Sequence, residues 1–312
     1  MLRQLDHSPV TEHQFLGQTF FLKRDDLLHP LFSGNKARKF SSLLTQDFSK
    51  IDTLVGYGSA QANSLYSLAA LAYLKQVPLE FYVQHIPVWL KQNPIGNYRA
   101  ALDLGADVID LSNPQINPQS LHPQQYIEQY CQPHANTLCI PEGGRSPIAR
   151  EGIEQLGHEL LEWINENAVI APVIALPSGT GTTALYLQQF FKPYNIEVLT
   201  CACVGGKSYL IKQFEELHGS DYPTILPSRE KHHFGKLYLQ DYEIWQQLKI
   251  ETGIEFDLLY DPLMWHSLLP WIKNHPHNTL IYIHQGGLLG NKSMTRRYER
   301  KLANQYLSKG RQ

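Results

Sequence analysis

Cysteine, methionine and charge are scarce in this chain. Four cysteines and three methionines in 312 residues exclude a disulfide scaffold. Charged residues make up 18%, and 27 Lys and Arg against 29 Asp and Glu leave a net charge of −2. With no cationic excess, nucleic-acid binding and docking to anionic membranes are not expected, because neutralising phosphates takes a basic face. No segment approaches ~18 uninterrupted apolar residues, so no membrane span is expected. The opening MLRQLDHSPVTEHQF has no apolar stretch behind its basic residue, which argues against a secretory signal. The 14 histidines include no H-E-x-x-H and no ligand-spaced Cys/His set, so no metal site is expected. What is abundant is apolar material, 43% of the chain, enough for a substantial core and too much for disorder. A cytoplasmic globular protein of one or two domains is the expectation, at roughly 150 residues per domain.

Strand-length apolar runs alternate with longer stretches that could be helical, the pattern of an α/β fold with crossover helices. The predicted strands are 19–23, 53–57, 79–84, 107–111, 138–141, 169–176, 197–204 and 279–284. Several are almost continuously apolar, as strands covered on both faces should be. Residues 64–75, 96–104 and 148–166 read as helices; in the last, Ile153, Leu156, Leu160 and Leu161 fall on one face. The Pro/Gln-rich stretch 112–125 reads as a loop, and 292–312 as a terminal helix with a solvated face. Cys201 and Cys203 flank Ala202 in a strand, so they share a face and read as buried small apolar residues.

Three segments carry chemistry. Ser178-Gly179-Thr180-Gly181-Thr182-Thr183 follows the strand VIAPVIALP and precedes the helical ALYLQQFF. Glycines let the backbone approach an anion, and the N–H groups opening a helix supply donors and the positive dipole end. The loop lacks the lysine of a Walker motif and the spacing of G-x-G-x-x-G; it suits a compact phosphate monoester, or else is a turn without a ligand. In Ser33-Gly34-Asn35-Lys36-Ala37-Arg38-Lys39, a lysine on a Gly-Asn turn at a helix start sits near a positive dipole end. That favours the free amine, which can form a Schiff base with an aldehyde; the bland reading is a basic surface cluster. Gly56-Tyr57-Gly58-Ser59-Ala60-Gln61-Ala62-Asn63-Ser64 puts amides and hydroxyls on a strand-to-helix turn, where open α/β sheets bind ligands.

Together these segments resemble the fold-type-II pyridoxal phosphate enzymes, and within them the 1-aminocyclopropane-1-carboxylate deaminase and D-cysteine desulfhydrase family. The matching text is KRDD…SGNKARKF, the Gln-x-Asn turn, GNYRAALDLGADV, IPEGG, SGTGTT, LLYDP and IHQGG, in the family's order from Lys23 to Gly287. The resemblance implies two open twisted sheets flanked by helices, in the manner of tryptophan synthase β. A small α/β domain, 43–150, would be inserted in a large pyridoxal-phosphate-binding domain made of 1–42 and 151–312. It further implies a homodimer acting on a small amino acid. Lys36 would form the Schiff base with pyridoxal 5′-phosphate, Gly179, Thr180, Gly181, Thr182 and Thr183 would hold its phosphate with Lys39 as a further basic contact, and Asn63 would bond the ring hydroxyl. Asn35, Ser59, Gln61, Trp265, His284 and Gln285 are candidates for contacting the substrate or supporting those groups.

The chain departs from the family in two places. The family's turn ends in Ser-Asn; here Ala62 precedes Asn63 and the hydroxyl is missing. After Asp-Pro the family has a tyrosine near the cofactor and then Glu or Thr near the pyridine nitrogen. Counting from Asp261-Pro262 puts Met264 and Trp265 in those places. An indole N–H only donates, so His266 or Ser267 would have to serve the ring nitrogen, or it would stay unprotonated. Elimination from a D-cysteine-like substrate is therefore expected ahead of cyclopropane opening. A vitamin-B6-binding protein without catalysis is the alternative, and a sugar-phosphate or nucleotide binder using SGTGTT alone ranks last.

Overall fold

The computed structural model describes Leu5 and residues 7–32, 34–131, 135–228 and 232–309, with backbone alone over the last five. Ser33, at the start of the lysine-bearing segment, and residues 310–312 of the expected terminal helix lie outside the described residues. The chain divides into two compact units. One comprises Ser8–Asp26 with Leu156–Gln312, the other Leu27–Gln155 with the described residues before Ser8.

The first unit is built on a six-stranded sheet. β1 (Val10–Phe15) and β2 (Gln18–Lys23) form an antiparallel hairpin whose turn uses left-handed Leu16 and Gly17, φ 50° and 74°. β7 (Pro172–Ser178), β8 (Glu197–Ala202), β9 (Thr224–Leu226) and β10 (Thr279–Ile283) complete the order β1-β2-β10-β7-β8-β9, parallel from β2 onward. Central β7 and β10 are covered on both faces, hence their unbroken apolar text. On one face, β-residues Phe15, Phe20, Leu22, Val173 and Tyr282 pack with side chains of α9 (Leu239–Thr252), α10 (Asp261–Asn274) and α11 (Asn291–Lys309). α7 (Thr182–Phe191) and α8 (Gly206–Glu216) follow β7 and β8 as crossovers.

The second unit has a parallel four-stranded sheet, β5 (Asp107–Asp110), β4 (Leu79–Val83), β3 (Thr53–Gly58) and β6 (Thr137–Ile140), in that order. Alternation along β3 and β4 splits the core in two. Leu54, Phe81 and Val83 face α1 (Gly34–Thr45), α2 (Asn63–Lys75) and α4 (Gly96–Asp103), whereas Val55, Tyr57 and Tyr82 face α5 (Pro123–Tyr130). α3 (Val88–Gln92) is a short helix before α4, and α6 (Ala149–Glu166) runs from this unit into the other. At Gly56 a β-carbon would stand 2.6 Å from Leu68 Cδ1, so the glycine sets how closely α2 lies on β3. The expected loop 112–125 ends in α5, opened by His122 through a capping box and Pro123. Two strands escaped the sequence pattern, polar β1 and three-residue β9. Both are edge strands, where one flank needs no apolar cover. Among the described residues no helix is long and apolar enough to cross a membrane.

Candidate active site

In the second unit, the chemistry-bearing residues gather where the parallel strands end. Lys36 and Lys39 are one turn apart near the start of α1, which opens on left-handed Gly34, φ 70°. Lys36 Nζ lies 3.3 Å from Asn35 Oδ1. Lys39 is buried and donates to Gly143 O at 3.0 Å. Burial, then the charges of Lys36 and Arg145, hold the Lys39 ammonium well below the usual lysine range. Gly143 belongs to the turn Glu142–Gly144, just after β6, and Glu142 Oε1 comes within 3.9 Å of the β-carbon position of Gly58. The IPEGG turn thus stands between the lysines and the β3–α2 turn. There Ser59 Oγ accepts the Gln61 N–H at 3.3 Å, and Asn63 Oδ1 accepts from Asn97 Nδ2 at 2.8 Å. Gln61 has both ends of its amide engaged with the start of α4, donating to Ile95 O at 2.8 Å and accepting the Asn97 N–H at 3.2 Å. Both contacts fasten the β3–α2 turn to α4. Asn97, Glu142 and Arg145 were not singled out in the sequence; GNYRAALDLGADV and IPEGG were read as matching text, but nothing there told which side chains turn inward.

In the first unit, the Gly/Thr loop joins β7 to α7 as its sequence suggested. Gly181 is left-handed, φ 72°, and caps α7. Thr180 Oγ1 and Thr182 Oγ1 are 3.3 Å apart, and Thr183 Oγ1 is buried with no hydrogen-bond partner. A partnerless buried hydroxyl beneath the open N–H groups of a helix start suits an anion. A β-carbon on Gly181 would come within 2.4 Å of Phe214 Cε1 and 2.5 Å of Leu210 Cδ1. Gly181→Ala should therefore lose about 2–4 kcal/mol, left-handed strain plus overpacking. Gly206 is also left-handed, φ 78°, but its β-carbon would meet nothing within 4 Å. Gly206→Ala should lose only about 1–2 kcal/mol. Equal urea midpoints for the two variants would refute the packing account.

The remaining predicted residues divide. Gln285 Nε2 donates to Pro177 O at 2.7 Å, tying the end of β10 to the end of β7. His284 is fully buried, and burial lowers its pKa, so the ring is neutral. Its Nδ1 accepts the Gly286 N–H at 3.1 Å, which leaves the proton on Nε2, 2.7 Å from Glu255 O. That arrangement pins the Gly286-Gly287 turn. Trp265 is not at the sheet edge: it is fully buried, 4.9–5.1 Å from the rings of Phe15, Phe20 and Tyr282, beside buried Met264. Tyr260, four positions before Met264, does reach the loop. Tyr260 Cε1 and Oη stand 3.4 and 3.5 Å from the β-carbon position of Gly179. Next to it, buried Asp261 accepts from Tyr282 Oη at 2.5 Å and from the Asp257 N–H at 2.8 Å. Burial, then the Asp257 charge, raises the Asp261 pKa to about 8. Asp257 Oδ1 in turn accepts the N–H groups of Leu259 and Tyr260 at 2.7 and 3.0 Å, forming the turn that presents the phenol. Asp257-Leu258-Leu259-Tyr260-Asp261 thus repeats the order Asp, two residues, Tyr, acid that was sought from Asp261 onward. That set lies one helical turn before the register counted from Asp261-Pro262.

The fold is that of the fold-type-II pyridoxal phosphate enzymes. A solved structure described as an ACC deaminase homologue superposes with a TM-score of 0.76 at 20% identity, covering 97% of this chain and 95% of that one. In sequence the chain is similar to a Thermotoga maritima protein named "Putative 1-aminocyclopropane-1-carboxylate deaminase", 25% identical over 306 residues, 90% of this chain and 92% of that protein. It is also 28% identical over 184 residues to the D-cysteine desulfhydrase of Salmonella typhi, a match spanning about half of each, 54% and 52%. No family model matches. The chain is thus a fold-type-II protein related to the 1-aminocyclopropane-1-carboxylate deaminase and D-cysteine desulfhydrase group, a relationship that supports pyridoxal 5′-phosphate as its cofactor. The partnerless Thr183 hydroxyl and the left-handed Gly181 cradle fit the phosphate of that group.

Proposed function

We propose that this protein is a pyridoxal-phosphate-dependent lyase that releases ammonia from a small, D-cysteine-like amino acid by α,β-elimination, working as a homodimer. The observation that carries the reading is Tyr260 against the Gly179 position, which supplies a hydroxyl beyond Lys36, with the buried acid Asp261 next to it in the chain. Lys36 would hold the cofactor covalently, Gly179 to Thr183 and Lys39 its phosphate, Asn63 its ring hydroxyl, and Asp261 would serve its ring nitrogen. When bound, the cofactor supplies an electron sink for the pair left at Cα. The Lys36 amine takes the α-proton. The Tyr260 phenol holds a proton for the departing group, the part for which Ala62 offers no hydroxyl.

The test is release of ammonia and keto acid from D-cysteine, L-cysteine, D-serine and aminocyclopropane carboxylate. D-Cysteine should turn over fastest. Tyr260→Phe should cut its kcat by about 10²-fold, in the range of a lost proton-transfer group, with Met264→Leu near wild type. Ala62 favours a second reading, a protein that binds the cofactor without turnover. Cofactor binding with no product from any substrate would decide for it, and rapid turnover of the cyclopropane would move the assignment to deamination by ring opening.

A further inference from the structure

We infer that Asn97 is a positioning residue that dictates which edge of the Asn63 amide faces the cofactor. The inference rests on the reading above, in which Asn63 meets the ring hydroxyl. Two reciprocal contacts latch the β3–α2 turn to the start of α4. The Gln61 side chain grips the α4 backbone at Ile95 O and the Asn97 N–H, 2.8 and 3.2 Å. The Asn97 side chain answers by donating from Nδ2 to Gln61 O at 2.9 Å and to Asn63 Oδ1 at 2.8 Å. Asn97 is 1% exposed, so water does not substitute for these bonds.

The consequence lies in the symmetry of a carboxamide. Its oxygen and nitrogen edges have nearly the same shape, so packing alone does not choose between them; hydrogen-bond partners do. Asn97 Nδ2 can only donate, and its two hydrogens go to the Gln61 carbonyl and to Asn63 Oδ1. Asn63 must therefore give its oxygen to Asn97, and its N–H edge is the one turned away. An oxygen reaching Asn63 from that side meets a donor, which favours a deprotonated, anionic ring oxygen over a hydroxyl that needs an acceptor. Asn97 thus acts on the ionisation of the cofactor's ring oxygen without touching it.

Asn97→Asp reverses the instruction. A carboxylate can only accept, so the Asn63 amide turns its N–H edge toward residue 97 and its oxygen toward the cofactor. Asn97→Ala removes this donor without putting an acceptor in its place. In protein reconstituted with pyridoxal phosphate, Asn97→Asp should raise the pH midpoint of the visible absorbance band by about one unit. It should also weaken cofactor binding about tenfold or more. Asn97→Ala should shift both in the same direction by less. Asn63→Ala should match the aspartate variant, and Asn63→Ala with Asn97→Asp together should add nothing to the band shift. A purely structural role would lower the melting temperature and leave the band midpoint at its wild-type pH, in either variant that folds; that result overturns the inference. If the wild type takes up no pyridoxal phosphate, the functional reading fails instead. The latch is then judged in the cofactor-free protein, where Asn97→Asp must move the Asn63 side-chain amide resonances, and unmoved resonances overturn it.

Discussion

Replacing Lys36 by alanine should abolish the visible absorbance of the purified protein and lower turnover by at least about 10³-fold, since on the proposed reading it removes a covalent anchor and a proton acceptor at once. After borohydride treatment of the wild type, one peptide, that containing Lys36, should carry the added mass of the reduced cofactor; in Lys36→Ala none should. Lys36 sits half-buried at the start of α1, a turn before fully buried Lys39. Burial, then repulsion from the Lys36 and Arg145 charges, holds the Lys39 ammonium well below the usual lysine range. The repulsion gives an internal check: in Lys36→Ala, the pKa of Lys39 should rise toward the usual range. Lys36→Arg retains the charge but not the nucleophile, so it should be as inactive as the alanine variant. Labelling at Lys39 in the wild type would reassign the anchor.

The fold was legible wherever burial was two-sided. Strands such as β7 and β10 announce themselves by continuous apolar text, and SGTGTT can hardly be anything other than a strand-to-helix turn. β1 was not legible because VTEHQF pairs on one flank only and tolerates polar residues there. Tyr260 was not singled out in the sequence, for an instructive reason. Asp-Pro is a strong local signal, because proline at the first turn starts a helix, and here Asp261-Pro262 does start α10. In this chain, however, Tyr260 immediately precedes that start and is presented by the turn built on Asp257. Only tertiary packing reveals it. Met264 and Trp265 face the sheet beneath α10, whereas Tyr260 reaches Gly179. Likewise, no sequence pattern says that Asn97 turns its amide toward Asn63 when a neighbouring polar residue, Arg99, points to Asp103 on the surface.

Asp261 carries the largest expected effect on stability, and its sign follows from its pKa. Burial and Asp257 raise the folded-state value to about 8 from the ordinary 3.8, so the folded protein binds a proton that the unfolded chain releases. The contribution is fully present below about pH 4 and is lost as pH rises through about 8. Relative to a variant without this group, the cofactor-free wild type should lose about 1.4 kcal/mol per pH unit between about pH 5 and pH 7. Asp261→Asn resembles the protonated acid in shape, and its amide does not titrate. It leaves Tyr282 Oη an acceptor but can set an N–H against that of Asp257, which fixes the offset between the two curves and not their relative slope. Urea denaturation of both proteins at pH 5, 6, 7 and 8 gives the comparison. The wild-type curve should fall relative to the variant's as pH rises, and parallel curves would mean that Asp261 is already ionised in the fold. The same buried acid explains why Tyr282 stands beneath the site. Its hydroxyl, 2.5 Å from Asp261 Oδ1, is the donor that keeps the carboxyl's desolvation from becoming prohibitive. Tyr282→Phe should then push the Asp261 pKa still higher and extend the fall in stability beyond pH 8.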